Sequence, residues 1–79
     1  MKVPLAFVPE SEEVVVVEVL GGRGLTRRLH DLGLIPGTKV RVLKSCSPGP
    51  LLIDVRGSRI ALGRGITMKI MVDLGDGYD

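Results

Sequence analysis

His30 and Cys46 are the only histidine and the only cysteine of this 79-residue chain, and they limit the chemistry it can perform. Nucleophilic catalysis requires a nucleophile, a base within hydrogen-bond reach, and a third group that orients the base. Nothing in the spacing of His30 and Cys46 brings them together, and no third group is placed to complete them. Glu12 and Glu13 are adjacent at the start of a valine run, so in an extended chain they point to opposite faces and cannot work as an acid–base pair. A single cysteine excludes a disulfide framework and any Cys-x-x-Cys metal or redox motif. It fits a reducing, intracellular compartment. Ferrous iron and zinc sites draw on several His, Cys or carboxylate ligands at defined spacing, and the pair His30-Asp31 is joined by no third ligand nearby in sequence. The expectation is a non-enzyme with no catalytic residue, no cofactor and no metal-ligand set.

Two further features bear on binding. Leu20-Gly21-Gly22-Arg23-Gly24 precedes a helix, but no Lys-Ser or Lys-Thr follows the glycines, so it is not a P-loop and reads as a tight turn. Charge is unevenly placed along the chain. Residues 1–20 hold one lysine against four glutamates, residues 21–44 six basic residues against one aspartate, and residues 45–79 four of each sign. A basic middle on a chain of net charge +2 predicts one positive face. Arg23, Arg27 and Arg28 fall on or just before the helix, and Arg56 and Arg59 flank a hairpin. These five are the candidate partner-binding residues.

The elements that position them follow from periodicity and turn chemistry. Val14 to Leu20 reads as a first strand with apolar residues on both faces. A short helix follows from about Leu25 to Leu32, with Leu25, Leu29 and Leu32 on one face. Gly33 suits the left-handed residue that closes a helix, and Leu34 then falls where it folds back onto Leu29. Pro36-Gly37 fits the centre of a type II turn. Val40 and Val42 point inward on the next strand, with Lys39, Arg41 and Lys44 outward. Leu51, Ile53 and Val55 point inward on the third. Gly57-Ser58 reads as a two-residue hairpin turn, which pairs Arg56 with Arg59 and Val55 with Ile60. Gly63-Arg64-Gly65 marks a tight turn, and Met68, Ile70, Val72 and Leu74 alternate inward on the last strand.

These elements make one domain over 1–79, with an N-terminal strap over 1–10 and a polar tail over 75–79. The fold expected is mainly all-β: a small, partly open β-barrel of about five strands with one short α-helix after the first strand. Hydrophobic residues make up 44% of the chain, yet Phe7 and Tyr78 are the only aromatics, so valine, leucine and isoleucine must form the core. Asn, Gln and Trp are absent, which points to a thermophilic source. The apolar start is cut by Pro4 and Pro9 and lacks the form of a signal peptide, and no apolar run reaches membrane-spanning length.

The run Leu29-His30-Asp31-Leu32-Gly33-Leu34-Ile35-Pro36-Gly37-Thr38 resembles the signature of the ferrous iron transport protein A family, FeoA. Pro50 to Leu62 resembles the family's second signature and Gly63-Arg64-Gly65 its third. The resemblance spans roughly Val14 to Val72. It implies an SH3-like barrel, an association with transition metal ions, and a cytoplasmic role beside FeoB, the membrane-embedded ferrous iron transporter with a GTPase domain. On that reading the chain binds FeoB, modulates its assembly or GTPase cycle, and reaches the inner membrane only through that partner. Two alternatives stand beside it. A nucleic-acid-binding SH3-like module suits the basic middle, but no aromatic stacking residue lies within that region, and no nucleic-acid partner is expected. A stand-alone regulatory domain like those of metal-dependent repressors is the other.

Overall fold

A computed structural model describes residues 1–46 and 48–74. Among them six strands form one antiparallel sheet: β1 Lys2–Pro4, β2 Glu13–Val19, β3 Lys39–Ser45, β4 Leu51–Val55, β5 Ser58–Leu62 and β6 Ile70–Asp73. Their order in space is β1-β6-β2-β3-β4-β5, so β1 and β5 end the sheet and it does not close. Helix α1, Arg23–Asp31, joins β2 to β3, and the single turn α2, Arg64–Thr67, precedes β6. The mainly β reading holds, with six strands where about five were expected. The extra strand comes from the N-terminal strap. Lys2–Pro4 pairs with β6, the 3₁₀ turn Leu5–Phe7 follows, and Leu5 and Val8 are buried in the core. The proposed tail, 75–79, lies outside the described residues.

Alternation along the strands builds the core as the periodicity requires. Val14 and Val16, Val40 and Val42, Leu51, Ile53 and Val55, and Ile70 and Val72 are all buried, joined by Leu62, Leu29 and Leu34. The second face of β2 is only half covered, with Val15 and Val19 partly buried and Val17 exposed. The registers slip between Val16 and Glu18 on β2 and between Val42 and Lys44 on β3. Such bulges bend the bulged strand and increase its twist, which curls a small sheet around its core.

Four sequence expectations need correction. Helix α1 starts at Arg23, not Leu25, and Gly22 caps it without a side-chain hydrogen bond. Leu29 is buried and Leu25 partly buried, but Leu32 is 46% exposed. The reason lies in the helix stop. Gly33 takes φ +95°, its N–H donates to the His30 carbonyl at 2.9 Å, and the Leu34 N–H donates to the Leu29 carbonyl at 2.8 Å. This pair of bonds is the Schellman closure, and it folds Leu34 rather than Leu32 into the core beside Leu29. Met68 is 40% exposed because it ends α2 and β6 begins only at Ile70.

The fourth correction is the hairpin register. Val55 pairs with Ser58, Asp54 with Arg59 and Ile53 with Ile60, so Arg56 and Gly57 are the turn residues and Arg56 does not face Arg59. Both turn residues have positive φ, +53° and +86°, as a type I′ turn demands. That turn matches the twist of the flanking strands, and the Gly57 N–H donates to Asp54 Oδ1 at 2.9 Å. The observed register also sets an opposite charge across from Arg59 where the expected one set a like charge.

Two measurements test this architecture. Leu29→Ala opens a cavity under α1 and costs about 2–4 kcal/mol. The melting temperature falls by at least about 8 °C. Arg56→Asn places a residue that tolerates the left-handed conformation at the first turn position. It stabilises the domain by roughly 0.5–1 kcal/mol, read as a rise of a few degrees in the same melting experiment.

Candidate functional site

Helix α1 separates its residues cleanly by angle. Arg23, Thr26, Arg27, His30 and Asp31 recur at the spacing of one helix face and, with Gly21, line an open groove of about 470 Å³. Leu25 and Leu29 lie on the side turned to the core. Arg28 is exposed on the flank and does not line this groove. The first turn of α1 carries no acidic residue and its amides have no side-chain cap. The partial positive charge of the helix start therefore adds to that of Arg23 and Arg27.

The hairpin side of the sheet is also charged, in a different pattern. Glu13 pairs with Arg41, Arg41 with Asp54, and Asp54 with Arg59, giving a row of alternating sign across β2, β3, β4 and β5. Three residues of this row, Glu13, Arg41 and Asp54, line a second open groove of about 560 Å³ together with Lys39, Arg56, Gly37, Thr38 and Gly57. Arg41 is anchored, its Nη1 donating to the Ser11 carbonyl at 2.9 Å. Among the described residues the ion pairs within 4.0 Å join the N-terminal ammonium to Asp73 and Lys2 to Glu18. None of the five candidate arginines takes part in either pair.

The five therefore do not form one site. Arg23 and Arg27 share the helix groove, Arg56 lines the hairpin groove, Arg28 and Arg59 are exposed outside both, and the two grooves have no lining residue in common. Sequence reading missed Thr26 and His30 as neighbours of the helix arginines, although the same helical spacing that grouped the leucines also groups them. It placed Asp54 on the face of Arg59 but missed the rest of the alternating row, because only the registers of three strand pairs bring Glu13, Arg41, Asp54 and Arg59 into line. His30 is exposed in the helix groove, and Cys46 is exposed at the end of β3, where its N–H donates to the Pro50 carbonyl at 3.2 Å. Among the described residues no three His, Cys, Asp or Glu side chains gather in a way that could hold a metal ion.

A small open antiparallel sheet of the SH3-like kind, with its charge spread over shallow faces, defines the class of this protein. A FeoA domain model matches residues 3–74. A protein of Methanocaldococcus jannaschii named for Fe(2+) transport protein A is 46% identical over 70 residues, covering 89% of this chain and 84% of the relative. The crystal structure of an iron uptake regulatory protein, FeoA, superposes with a TM-score of 0.83 at 36% identity, over 91% of this chain and 94% of that one. The FeoA of Stenotrophomonas maltophilia, solved in complex with zinc and described as a prokaryotic SH3 domain protein, gives 0.78 at 31% identity, over 95% and 92%. The chain belongs to the FeoA family, the accessory proteins of ferrous iron transport and not a known enzyme family. The family match reaches further towards the N-terminus than the sequence motifs did, and takes in the β1 strap.

The scattered ligands make a direct prediction. Calorimetric titration of the reduced protein with ferrous iron gives no saturable one-to-one binding at or below about micromolar dissociation constant. A stoichiometric site of that strength contradicts the prediction.

Proposed function

We propose that this chain is a cytoplasmic accessory protein of ferrous iron uptake that docks on the cytoplasmic part of a FeoB-like transporter and modulates its assembly or GTPase cycle. Family membership supplies the transport system. The observation that carries the docking surface is the arginine stripe of α1, exposed and turned away from the leucines that hold the helix to the sheet. A helix held by one face and charged on the other presents its cations without disturbing the core. Arg23, Arg27 and Arg28 form the primary contact in this reading, and Arg56 and Arg59 form a separate one on the hairpin side.

The partner surface is acidic by complementarity, and such charges act on encounter rate and partner choice more than on final affinity. No helix among the described residues is long and apolar enough to cross a membrane. In this proposal the chain meets the membrane through the transporter. The nucleic-acid alternative is weaker, since Phe7, the aromatic side chain among the described residues, lies far in sequence from the basic middle.

Binding of the chain to an immobilised FeoB cytoplasmic domain is expected to weaken as salt rises. The double substitution Arg27→Glu and Arg28→Glu weakens it further while circular dichroism shows a folded domain. Unchanged affinity for the folded variant removes α1 as the docking surface. The exposed or half-buried apolar residues Ile35 and Leu52 then take its place as candidates.

A further inference from the structure

The two ends of the sheet are built differently. At one end β1 has three residues, includes Pro4 and runs straight into a 3₁₀ turn, all of which blunt an edge against further pairing. At the other end β5 has five residues, Ser58-Arg59-Ile60-Ala61-Leu62, with no proline, no glycine and no lysine. Its register with β4 runs unbroken over all five pairs, so no bulge twists it away. In a two-residue hairpin the closing pair, Val55 with Ser58, exchanges both backbone hydrogen bonds, and such pairs then alternate along the ladder. The backbone groups of Ser58, Ile60 and Leu62 thus face β4, and those of Arg59 and Ala61 face outward. No strand among the described residues pairs with that outward side.

We infer that the β5 edge is a self-association surface, on which a second copy of this chain adds its own β5 in antiparallel register centred on Ile60. This goes beyond the transporter-docking reading and does not depend on it. The choice of a second copy rests on how well the edge complements itself. A two-fold axis normal to the sheet keeps each face on its own side, so only residues that share a face can lie opposite one another. Centring on Arg59 sets two arginines directly opposite, which is repulsive. Centring on Ala61 brings Gly63, beyond the strand, into the pairing. Centring on Ile60 uses all five residues. Ile60 then meets Ile60 of the second copy on the inner face, and Arg59 meets Ala61 of the second copy on the outer face. Both Arg59–Ala61 pairs present outward backbone groups, so the join closes with reciprocal hydrogen bonds. Arg59 retains Asp54 as its oppositely charged neighbour on β4. A join of five residues per chain is small, so the dimer is weak and reversible and forms at high local concentration.

The position opposite Arg59 makes the register testable. Ala61 is exposed, so its side chain can be changed without touching the core. Ala61→Lys sets a like charge opposite Arg59 of the second copy, and Ala61→Glu an opposite charge, each twice by symmetry. Sedimentation equilibrium of the isolated chain from about 10 µM to about 1 mM is expected to show reversible dimerisation of the parent. Ala61→Lys is expected to weaken it and Ala61→Glu to tighten it, by about two- to thirtyfold in dissociation constant, with added salt shrinking both shifts. Amide hydrogen exchange of the unmodified chain supplies a readout that needs no variant, since Arg59 and Ala61 gain protection as concentration rises. A parent that stays monomeric across the range overturns the proposal and leaves the edge to an extended segment of a different protein. A dimer that shifts in the same direction for both substitutions, or that leaves the Arg59 and Ala61 amides unprotected, overturns it as well.

Discussion

The left-handed backbone at Gly33 is the constraint on which the arrangement of this domain turns. At φ +95° a side chain is strained, and a Cβ there would also stand 3.3 Å from Val55 Cγ1 on the end of β4. Glycine at this position does two things together. It closes α1 by returning the Leu34 N–H to the Leu29 carbonyl, and it lets the helix end press against the sheet. The chain then turns through Ile35-Pro36-Gly37-Thr38, where the Thr38 N–H donates to the Ile35 carbonyl at 3.1 Å. Gly37 and Thr38 bond back to both backbone groups of Val16, at 2.8 and 2.9 Å, which sets β3 alongside β2. A short helix has little stability of its own, so this anchored exit and the burial of Leu29 hold α1 in place.

Placement of α1 in turn decides where the positive charge goes. With Leu29 buried, the helix can present only its other side to solvent, and that side carries Arg23, Arg27 and His30. The same logic operates differently on the sheet. There the outward residues of four strands alternate in sign across the row from Glu13 to Arg59, so the row is close to neutral over its length. By formal charge the two grooves are alike: Arg23 and Arg27 stand against Asp31 in the helix groove, and Lys39, Arg41 and Arg56 against Glu13 and Asp54 in the hairpin groove. The helix start adds the partial positive charge of its uncapped amides to Arg23 and Arg27, a contribution the sheet row lacks.

The edges add a second kind of contact. The N-terminal strap covers the free side of β6 and buries Leu5 and Val8, and it leaves behind only a short, proline-bearing edge. Among the described residues the opposite edge at β5 has no such protection. A helix face for charge and a strand edge for backbone pairing use different physics and lie on different elements, whereas Arg59, one of the candidate docking residues, lies on β5 itself.

Local chemistry determined much of this protein. The helix stop at Gly33, the turn at Pro36-Gly37, and the inward residues of β3 and β4 were legible from residue type and spacing, because each depends on backbone preference or on a two-residue period over a few positions. The family motifs were legible for the same reason, since they are made of those turns and stops. What sequence could not settle involved competition between distant segments. Leu32 shares the leucine spacing of α1, but the place in the core goes to Leu34 once the closure forms. The strap reads as a loose covering until β6 supplies a partner for Lys2–Pro4. The hairpin register was misread because Gly57-Ser58 and Arg56-Gly57 are both plausible turns locally. Strand twist and the Asp54 carboxylate, which accepts the Gly57 N–H and faces Arg59, select the second at the cost of left-handed strain on Arg56. The charged row and the separation of the five arginines into different surfaces follow from register and packing alone, and these are set only when the whole sheet assembles.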